Sequence, residues 1–199
     1  MSDVVAILSE CKAMLTGHFL LSSGKHSSQY FQCARLLQHP DRAETVIKAV
    51  ASRIKTEINA GSLQVDSVIG PAMGGIVVAY ELGRQLKLPA FFTERDDEGK
   101  MALRRGFEIK PGEKIIIAED VVTTGKSTLE TAAQIQAMGG VVVASICIVD
   151  RRPSDAEEPF PWPLFAALRQ PAVIWDADEC PLCKEGKLPA IKPGSRKVF

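Results

Sequence analysis

Two adjacent acidic residues, Glu119 and Asp120, follow an apolar run and precede a loop rich in hydroxyl groups. The loop reads Val121-Val122-Thr123-Thr124-Gly125-Lys126-Ser127-Thr128, and a helix is predicted to begin near Lys126. Backbone N–H groups at the start of a helix point outward, and the helix dipole favours an anion there. Residues 123–127 are therefore predicted to hold a phosphate group, with the nearby hydroxyls as additional donors.

The two acids must serve a different part of the ligand, because carboxylates repel phosphate. A P-loop is excluded, since its pattern G-x-x-x-x-G-K-S/T requires a glycine where this chain has Asp120. Carboxylates suit sugar hydroxyls, a Mg²⁺ shell or a developing positive charge. A pentose phosphate offers both a phosphate for the helix start and a diol for Glu119 and Asp120. A solvated cap at the end of a strand is the alternative interpretation.

Two further loops have compositions that suit an anionic ligand. The segment Gly70-Pro71-Ala72-Met73-Gly74-Gly75 has no large polar side chain, so its backbone can approach an anion closely. An ordinary strand-to-helix turn is the alternative. The charged stretch from Glu94 to Arg105 carries Arg95, Lys100, Arg104 and Arg105. Mobile loops with such cations often close over phosphates, and a solvated hairpin tip is the alternative.

These loops belong to a chain in which short apolar strands alternate with helices. Strands are predicted at residues 65–69, 90–92, 115–118 and 141–149, and helices at 76–86 and about 126–138. An opening helix over 4–15, a hairpin of 19–21 with 29–33 and a helix from 41 to near 61 precede them. The alternation predicts a parallel sheet covered on both faces, with ligands at the carboxyl ends of its strands.

Composition and charge exclude several classes of protein. The chain has 199 residues, of which 46% are hydrophobic, and its 24 basic residues balance 24 acidic ones. One domain is expected, and no overall positive field exists to attract nucleic acid. No apolar run reaches the ~18 residues that span a bilayer, and no secretory signal is visible at the N-terminus. A cytoplasmic protein without nucleic-acid or membrane partners is therefore expected.

The cysteines and histidines give weaker signals. Five cysteines at irregular spacing argue against a disulfide framework and fit a reducing compartment. Cys180 and Cys183 form a single C-x-x-C, for which a packed, reduced tail is the expectation, because a structural zinc site usually has two such pairs. Zinc shared with another residue or subunit, or a redox role, is the alternative. His18 and His39 are expected at the surface, and His26 in the hairpin turn, where a ligand role is the alternative.

The segment 115–127, with its strand, acid pair and hydroxyl loop, resembles the 5-phosphoribosyl 1-diphosphate (PRPP) signature of type I phosphoribosyltransferases. The resemblance covers about residues 16–152. The supporting segments are Phe19–Ser27 with Tyr30-Phe31, Gly70–Ile76, Glu94-Arg95 with Leu103–Phe107, and Val149-Asp150-Arg151. The N-terminal hairpin and Asp150-Arg151 narrow the resemblance to the orotate-specific members of that family.

The resemblance implies a Mg²⁺-dependent transfer of the phosphoribosyl group from PRPP to orotate, in pyrimidine biosynthesis. The products would be orotidine 5′-monophosphate and pyrophosphate. The implied fold is α/β, with a mostly parallel five-stranded sheet flanked by helices and a small hood. A single domain over residues 1–199 is expected, with its hood at about 16–35 plus C-terminal residues and its core at about 41–175.

The resemblance also implies a role for each matching residue. Glu119 and Asp120 would bind the ribose hydroxyls and offset the positive charge that develops at the sugar, with Arg95 and Lys100 completing the catalytic set. The implied PRPP-binding residues are Ala72, Met73, Gly74, Arg95, Glu119, Asp120, Val121, Val122, Thr123, Thr124, Gly125, Lys126 and Ser127. The implied orotate-binding residues are Tyr30 or Phe31 as a stacking ring, Thr123, and Arg151 as a partner for the carboxylate or a ring oxygen. Mg²⁺ would be held mainly by PRPP and water near Asp120.

Family members are usually homodimers, so loop 94–105 is expected to be poorly ordered without ligand and to reach the neighbouring site. A cis non-proline peptide is expected near Ala72-Met73. The chain departs from some relatives at Gly74 and Ser22, where lysine is common, and its loop lacks a histidine. A phosphoribosyltransferase for purines or xanthine and a PRPP-sensing regulator are the competing functions.

Overall fold

The chain folds around one large mixed sheet and one small antiparallel sheet. A computed structural model describes residues 2–21, 23–155 and 157–193, so Ser22 lies outside the described residues. The helices are α1 (Ser2–Glu10), α2 (Ala34–Leu37), α3 (Pro40–Asn59), α4 (Gly74–Leu86), α5 (Lys126–Ala137) and α6 (Pro181–Glu185). The strands are β1 (Met14–Leu20), β2 (His26–Phe31), β3 (Ser67–Pro71), β4 (Ala90–Arg95), β5 (Met101–Leu103), β6 (Lys114–Val122), β7 (Val141–Asp150), β8 (Leu164–Arg169) and β9 (Ile174–Trp175).

The large sheet has the strand order β5-β4-β3-β6-β7-β8. Strands β4, β3, β6, β7 and β8 run parallel, and the short β5 pairs antiparallel with β4 at the edge. The predicted α/β fold with its parallel sheet is therefore confirmed, with β5 as an additional strand. Strands β3 and β6 lie at the centre, so the loops that follow them meet at one edge of the sheet.

Side chains alternate between the two faces of β6 and so define two core layers. Ile116 packs into the cluster that includes α1, α3 and α4, whereas Ile115 and Ile117 pack against Ile135 of α5. All four isoleucines are fully buried. Because successive side chains of β6 point to opposite faces, both faces of the sheet are apolar, and helices cover both of them, as is usual for a parallel sheet.

The long helix α3 covers one face because its apolar residues fall on a single stripe. Its buried residues are Ala43, Val46, Ile47, Val50, Ala51 and Ile54, at spacings of three and four. Pro40 lies in the first turn, where its missing N–H costs no hydrogen bond. Gly83 of α4 allows that helix to approach β4, since a Cβ there would lie 2.8 Å from the Cβ of Ala90.

The small sheet has the order β1-β2-β9, and both of its pairings are antiparallel. The C-terminal segment also reaches β1, because the N–H of Leu20 donates to the carbonyl of Ile191 at 2.8 Å. The N–H of Ile191 in turn donates to the carbonyl of His18 at 3.0 Å. The N-terminal hairpin and the C-terminal tail thus form one unit beside the large sheet.

The structure corrects three details of the sequence-based assignment. Leu15 lies on β1, because α1 ends at Glu10. The predicted polar loop at 119–122 is the end of β6, since that strand continues its pairing with β7 as far as Val122. Residues 164–169, for which the sequence predicts no element, form β8, since the mixed burial of this strand gives only a weak sequence pattern. Among the described helices, none has the length and apolar character needed to cross a bilayer.

Candidate active site

Glu119 and Asp120 lie at the carboxyl end of β6, the central strand next to β3. Both side chains are partly buried, and the described residues include no lysine, arginine or histidine in an ion pair with either one. The Asp120 carboxylate accepts a hydrogen bond from the N–H of Val121 at 2.8 Å. The site therefore holds two neighbouring carboxylates without a cationic partner among those residues.

This arrangement shifts the protonation of both acids. Burial, reinforced by the negative charge of Asp120, raises the pKa of Glu119 to about 8. Burial also raises the pKa of Asp120 from its ordinary value. The charged forms are disfavoured because no positive group offsets them, so a cation or cationic ligand at this position would restore the carboxylates.

Close approach of the 70–75 loop to β6 shapes the other side of the site. A Cβ at Gly74 would lie 2.3 Å from an oxygen of the Asp120 carboxylate, and one at Gly75 would lie 2.7 Å from the carbonyl of Ala118. Glycine at both positions lets the start of α4 pack directly against the acids. A larger residue at position 74 would require Asp120 or the loop to move.

The peptide bond between Ala72 and Met73 is cis, as the resemblance implies. Met73 projects outward with 80% of its surface exposed. The N–H of Ala72 donates to the carbonyl of Thr93 at 2.7 Å, which ties the loop to β4. The loop thus presents backbone and one flexible apolar side chain beside Glu119 and Asp120.

The predicted phosphate loop forms a shallow cavity at the start of α5. Its lining comprises Glu119 and residues 121–128. Gly125 has φ of 76°, in the left-handed region, and a Cβ there would lie 2.8 Å from the Phe160 ring. Thr123, Thr124 and Lys126 are exposed, so their side chains are available to a bound anion. The N–H of Lys126 donates a long hydrogen bond to the Thr124 hydroxyl at 3.4 Å.

Arg151 lies just beyond the end of β7, and its guanidinium carbon stands 5.2 Å from the centre of the Phe31 ring. An N–H of Arg151 donates to the carbonyl of Gln29 at 3.3 Å. The Nε atom is buried without a hydrogen-bond partner among the described residues. Burial lowers the pKa of Arg151 from its ordinary value, since no carboxylate pairs with it. A planar anion beside the guanidinium would offset this uncompensated charge.

The two aromatic candidates of β2 occupy different environments. Phe31 is buried in the main core, and its ring packs against the guanidinium of Arg151. Tyr30 points the other way, half-buried, with its ring centre 5.8 Å from that of Phe19. Burial raises the pKa of the Tyr30 phenol, and the charge of Arg151 opposes this. Of the two rings, Tyr30 is the one left free to cover a ligand.

A buried ionic network that the sequence did not reveal holds the end of β7. Asp150 accepts two hydrogen bonds from Arg152 at 3.0 Å and another from Arg169. Although burial opposes it, these bonds lower the pKa of Asp150. Arg152 also donates to Glu158 at 3.0 Å. Because Asp150 is saturated by its other partners, it does not claim the neighbouring Arg151.

Residues 94–105 form a hairpin, as the alternative interpretation of this charged segment expected. The Asp96 carboxylate accepts hydrogen bonds from the N–H groups of Glu98 and Lys100, which closes the turn between β4 and β5. Arg105 donates two hydrogen bonds to Glu94 at 2.9 Å across the base. Local side-chain bonds therefore give this charged segment a defined shape.

Within one chain, the described basic side chains of hairpin 94–105 form their ion pairs with acids other than Glu119 and Asp120. Arg95 pairs with Glu130 of α5 at 2.7 Å, and Lys100 pairs with Glu98 at 2.7 Å. Arg95 is thereby held near the helix that follows the phosphate loop. Lys100 is exposed at the hairpin tip. The structure thus brings together the acids, the phosphate loop, the 70–75 loop and Arg151, and leaves Lys100 apart from them.

The site can bind three chemically different groups at one sheet edge. The helix start and the bare backbone loop suit phosphates, and the two carboxylates suit a hydroxylated or cationic group between them. Arg151 with Tyr30 suits a flat anion. Within the described residues, no cysteine or serine with an adjacent base belongs to this arrangement.

Comparisons with known proteins agree with this geometry. Residues 32–176 match the family described as phosphoribosyl transferase domain. The orotate phosphoribosyltransferase of Carboxydothermus hydrogenoformans is 48% identical over 195 residues, covering 98% of both chains.

Two solved structures show how widely the fold is shared. The orotate phosphoribosyltransferase of Aeropyrum pernix has a TM-score of 0.64 at 24% identity, covering 83% of this chain and 93% of that one. The adenine phosphoribosyltransferase of Leishmania tarentolae has a TM-score of 0.59 at 15% identity, covering 85% of this chain and 89% of that one. Proteins named for different bases share this fold, so the fold alone does not identify the base.

The raised pKa of Glu119 predicts a specific pH dependence of folding stability. The carboxyl is protonated in the folded state up to about pH 8 but ionises near its ordinary value when unfolded. The free energy of unfolding should therefore fall as the pH rises between those values. Glu119→Gln should remove this part of the slope, which urea denaturation from about pH 5 to about pH 8 would measure. Parallel pH profiles for the two proteins would contradict the prediction.

Proposed function

The chain belongs to the phosphoribosyl transferase family and, within it, to the orotate phosphoribosyltransferases, and we propose how its own residues perform that reaction. The reaction joins orotate to PRPP and releases orotidine 5′-monophosphate and pyrophosphate, a step of pyrimidine biosynthesis. One observation carries the proposal. A helix-start phosphate loop, two unneutralised carboxylates and a partly unpaired arginine meet at the same edge of the large sheet.

On the PRPP side, residues 123–127 bind the 5-phosphate through backbone N–H groups and hydroxyls. The loop formed by Ala72, Met73 and Gly74 lies across the acids from this cradle and takes the pyrophosphate on its backbone. Support comes from the contact of Gly74 with Asp120, which sets the two loops on either side of one carboxylate. The ribose would then span the space between its two anionic ends, directly over Glu119 and Asp120.

Glu119 and Asp120 bind the ribose hydroxyls and stabilise the positive charge that develops on the sugar. Breaking the bond between C1 and pyrophosphate leaves the ring with oxocarbenium character, which nearby carboxylates favour. Their raised pKa values support this role, since the pair is electrostatically unsatisfied until a positive group arrives. The interaction therefore strengthens as the reaction proceeds and lowers the barrier more than it stabilises bound substrate.

Mg²⁺ is the cofactor that fits this donor set. Two neighbouring carboxylates with no cation among the described residues suit a hard, oxygen-binding metal, and Asp120 lies closest to the pyrophosphate loop. The ion would be held mainly by PRPP and water, with Asp120 as its nearest protein group. When bound, it supplies positive charge that offsets the anionic leaving group.

On the orotate side, Arg151 pairs with the carboxylate or a ring oxygen of the base, and Tyr30 covers its flat face. Thr123, at the edge of the phosphate loop, contacts the base from the PRPP side. Phe31 stacks under Arg151 and positions it. No carboxylate among the described residues forms an ion pair with Arg151, and this supports the assignment, because an anionic base would offset the charge of the guanidinium. A neutral purine lacks the carboxylate that this arrangement fits.

A homodimer with hairpin 94–105 acting across the interface completes the proposal. Met73, Val77 and Tyr80 form an exposed stripe at the start of α4, and 67% of the Tyr80 surface is accessible. Their spacing of four and three residues places them on one face of the helix, beside the acid pair. A second copy packed there would bring its own hairpin, with Arg95 and Lys100, toward the pyrophosphate. Closure would exclude water that could otherwise capture the activated sugar.

The remaining assignments follow from the same architecture. We place residues 1–199 in one domain, in which the small sheet and the C-terminal segment form the hood over the large sheet. A cytoplasmic location fits five cysteines that are all free thiols.

The activity assay follows orotate loss by ultraviolet absorbance in the presence of PRPP and Mg²⁺. The wild-type chain should consume orotate and leave adenine, hypoxanthine and xanthine unchanged. Glu119→Gln and Asp120→Asn should each lower turnover by roughly 10²-fold, about 2.7 kcal/mol of transition-state stabilisation. Glu57→Gln, at the end of α3, is the matched control and should keep full activity. Near-normal turnover in both site variants would contradict the charge-stabilising role.

Selectivity tests the orotate assignment. Arg151→Ala should raise the KM for orotate by about 10²-fold and the KM for PRPP by less than about threefold, because a charge-assisted pair is lost only to the base. Arg53→Ala is the matched control, since Arg53 also lies over a ring, that of Phe165, at 5.1 Å. It should change neither KM. An equal rise in the KM for orotate and the KM for PRPP in Arg151→Ala would refute the assignment.

Mixed dimers test the action of the hairpin across the interface. One subunit carries Arg95→Ala with Lys100→Ala, the other carries Asp120→Asn, and each homodimer alone should be nearly inactive. After subunit exchange at equal amounts, about a quarter of the sites should combine intact acids with an intact hairpin from the partner. Recovery of about that fraction of wild-type turnover is expected. Proven exchange without recovery would mean that the hairpin serves its own subunit.

A further inference from the structure

Four metal-ligating side chains converge between the hairpin and the C-terminal segment, away from the acid pair. They are His18 of β1, His26 of β2, and Cys180 and Cys183 at the start of α6, and their donor atoms all lie within 4.8 Å of one another. The histidines are expected at the surface and in a turn, but both are buried, with 4% and 7% of their surfaces exposed. Cys180 is fully buried as well.

The distances between donor atoms match those of a small tetrahedral site. The two imidazole nitrogens, His18 Nε2 and His26 Nδ1, are 2.8 Å apart. Cys180 Sγ lies 3.5 Å from His18 Nε2, and Cys183 Sγ lies 3.6 Å from that atom and 3.2 Å from His26 Nδ1. A tetrahedral Zn²⁺ with ordinary bond lengths separates nitrogen from nitrogen by about 3.3 Å and nitrogen from sulfur by about 3.6 Å. Expansion by roughly half an ångström would admit the ion.

The second nitrogen of His18 orients the first toward the cluster. His18 Nδ1 lies 2.9 Å from the carbonyl oxygen of Leu188. A carbonyl only accepts, so Nδ1 carries the proton and Nε2 of the neutral ring presents its lone pair to the other three groups. Metal-bound histidines have this arrangement, because the outer hydrogen bond fixes the tautomer and the ring angle. The buried ring is therefore prepared to act as a ligand.

The elements that carry the ligands are already held in place by backbone hydrogen bonds. His26 pairs with Trp175 of β9, and the carbonyl of His18 accepts from Ile191. Cys180 and Cys183 are three residues apart at the first turn of α6, so both thiols face the same side. Chain segments about 160 residues apart thus bring two nitrogen and two sulfur ligands together.

We propose that His18, His26, Cys180 and Cys183 bind one Zn²⁺ that joins the N-terminal hairpin to the C-terminal segment. Two imidazoles and two thiolates are the ligand set that favours zinc over Mg²⁺ or Ca²⁺. The site is structural, because four protein ligands fill the tetrahedral positions and leave none for substrate. Both thiols release their protons on binding, and no redox change accompanies it. The inference is independent of the proposed active site.

Metal analysis of the full-length protein tests the proposal directly. Protein is purified from zinc-supplemented cells and dialysed without chelator. Inductively coupled plasma mass spectrometry should then find about one zinc per chain. Cys180→Ser with Cys183→Ser should reduce this to below about a tenth. Cys11→Ser, which alters another buried cysteine outside the cluster, should keep about one zinc per chain. A folded double variant that keeps its zinc would overturn the proposal.

Cobalt substitution tests the site without any mutation. The wild-type chain refolded with Co²⁺ should show intense visible bands of a tetrahedral centre and a near-ultraviolet charge-transfer band from thiolate to metal. Addition of Zn²⁺ should abolish both signals in proportion to the cobalt displaced. Freshly purified protein without zinc, no thiolate band with cobalt, or a disulfide between Cys180 and Cys183 in place of the metal would each overturn the proposal.

Discussion

The two carboxyl groups buried side by side at the end of β6 are the constraint on which the rest of the site depends. Glu119 and Asp120 occupy the point where the two central strands end, and no basic side chain among the described residues forms an ion pair with either one. Burial therefore keeps Glu119 protonated up to about pH 8 in the unliganded protein. Gly74 lets a helix start approach within contact distance of Asp120. In the unliganded protein the two carboxyl groups have no positive partner among the described residues, and this lowers the free energy of unfolding. A cationic ligand bound beside them would remove that penalty.

A second arrangement leaves the positive charge of Arg151 without a carboxylate partner among the described residues. Asp150 would be its obvious partner in sequence, but Arg152 and Arg169 already saturate that carboxylate. Phe31 then holds the guanidinium in place by its face without consuming hydrogen bonds. The site thus contains unsatisfied acids and an incompletely satisfied base on neighbouring strands, kept from neutralising each other by packing.

Much of this organisation could be predicted from local sequence, and the rest required tertiary pairing. The acids at 119–120 lie at the end of one strand and the hydroxyl loop follows that strand directly, so their order in the sequence points to the candidate site. Whether Tyr30 or Phe31 faces the ligand depends on the register of β2 against its neighbours, which residue types do not encode. The shape of residues 94–105 depends on the Asp96 turn and the Arg105 pair, both local bonds that a charged composition conceals. The cluster around His18 joins residues at opposite ends of the chain, so no spacing rule finds it.

The division of the molecule into two sheets has a consequence for the geometry around Arg151. The large sheet holds the phosphate loop and the acids and leads directly to Arg151, whereas Tyr30 and the backbone of Gln29 belong to the small one. The hydrogen bond from Arg151 to the carbonyl of Gln29 therefore joins one sheet to the other. Any movement of the small sheet would change the distance between Tyr30 and Arg151 while leaving the phosphate loop and the acids in place.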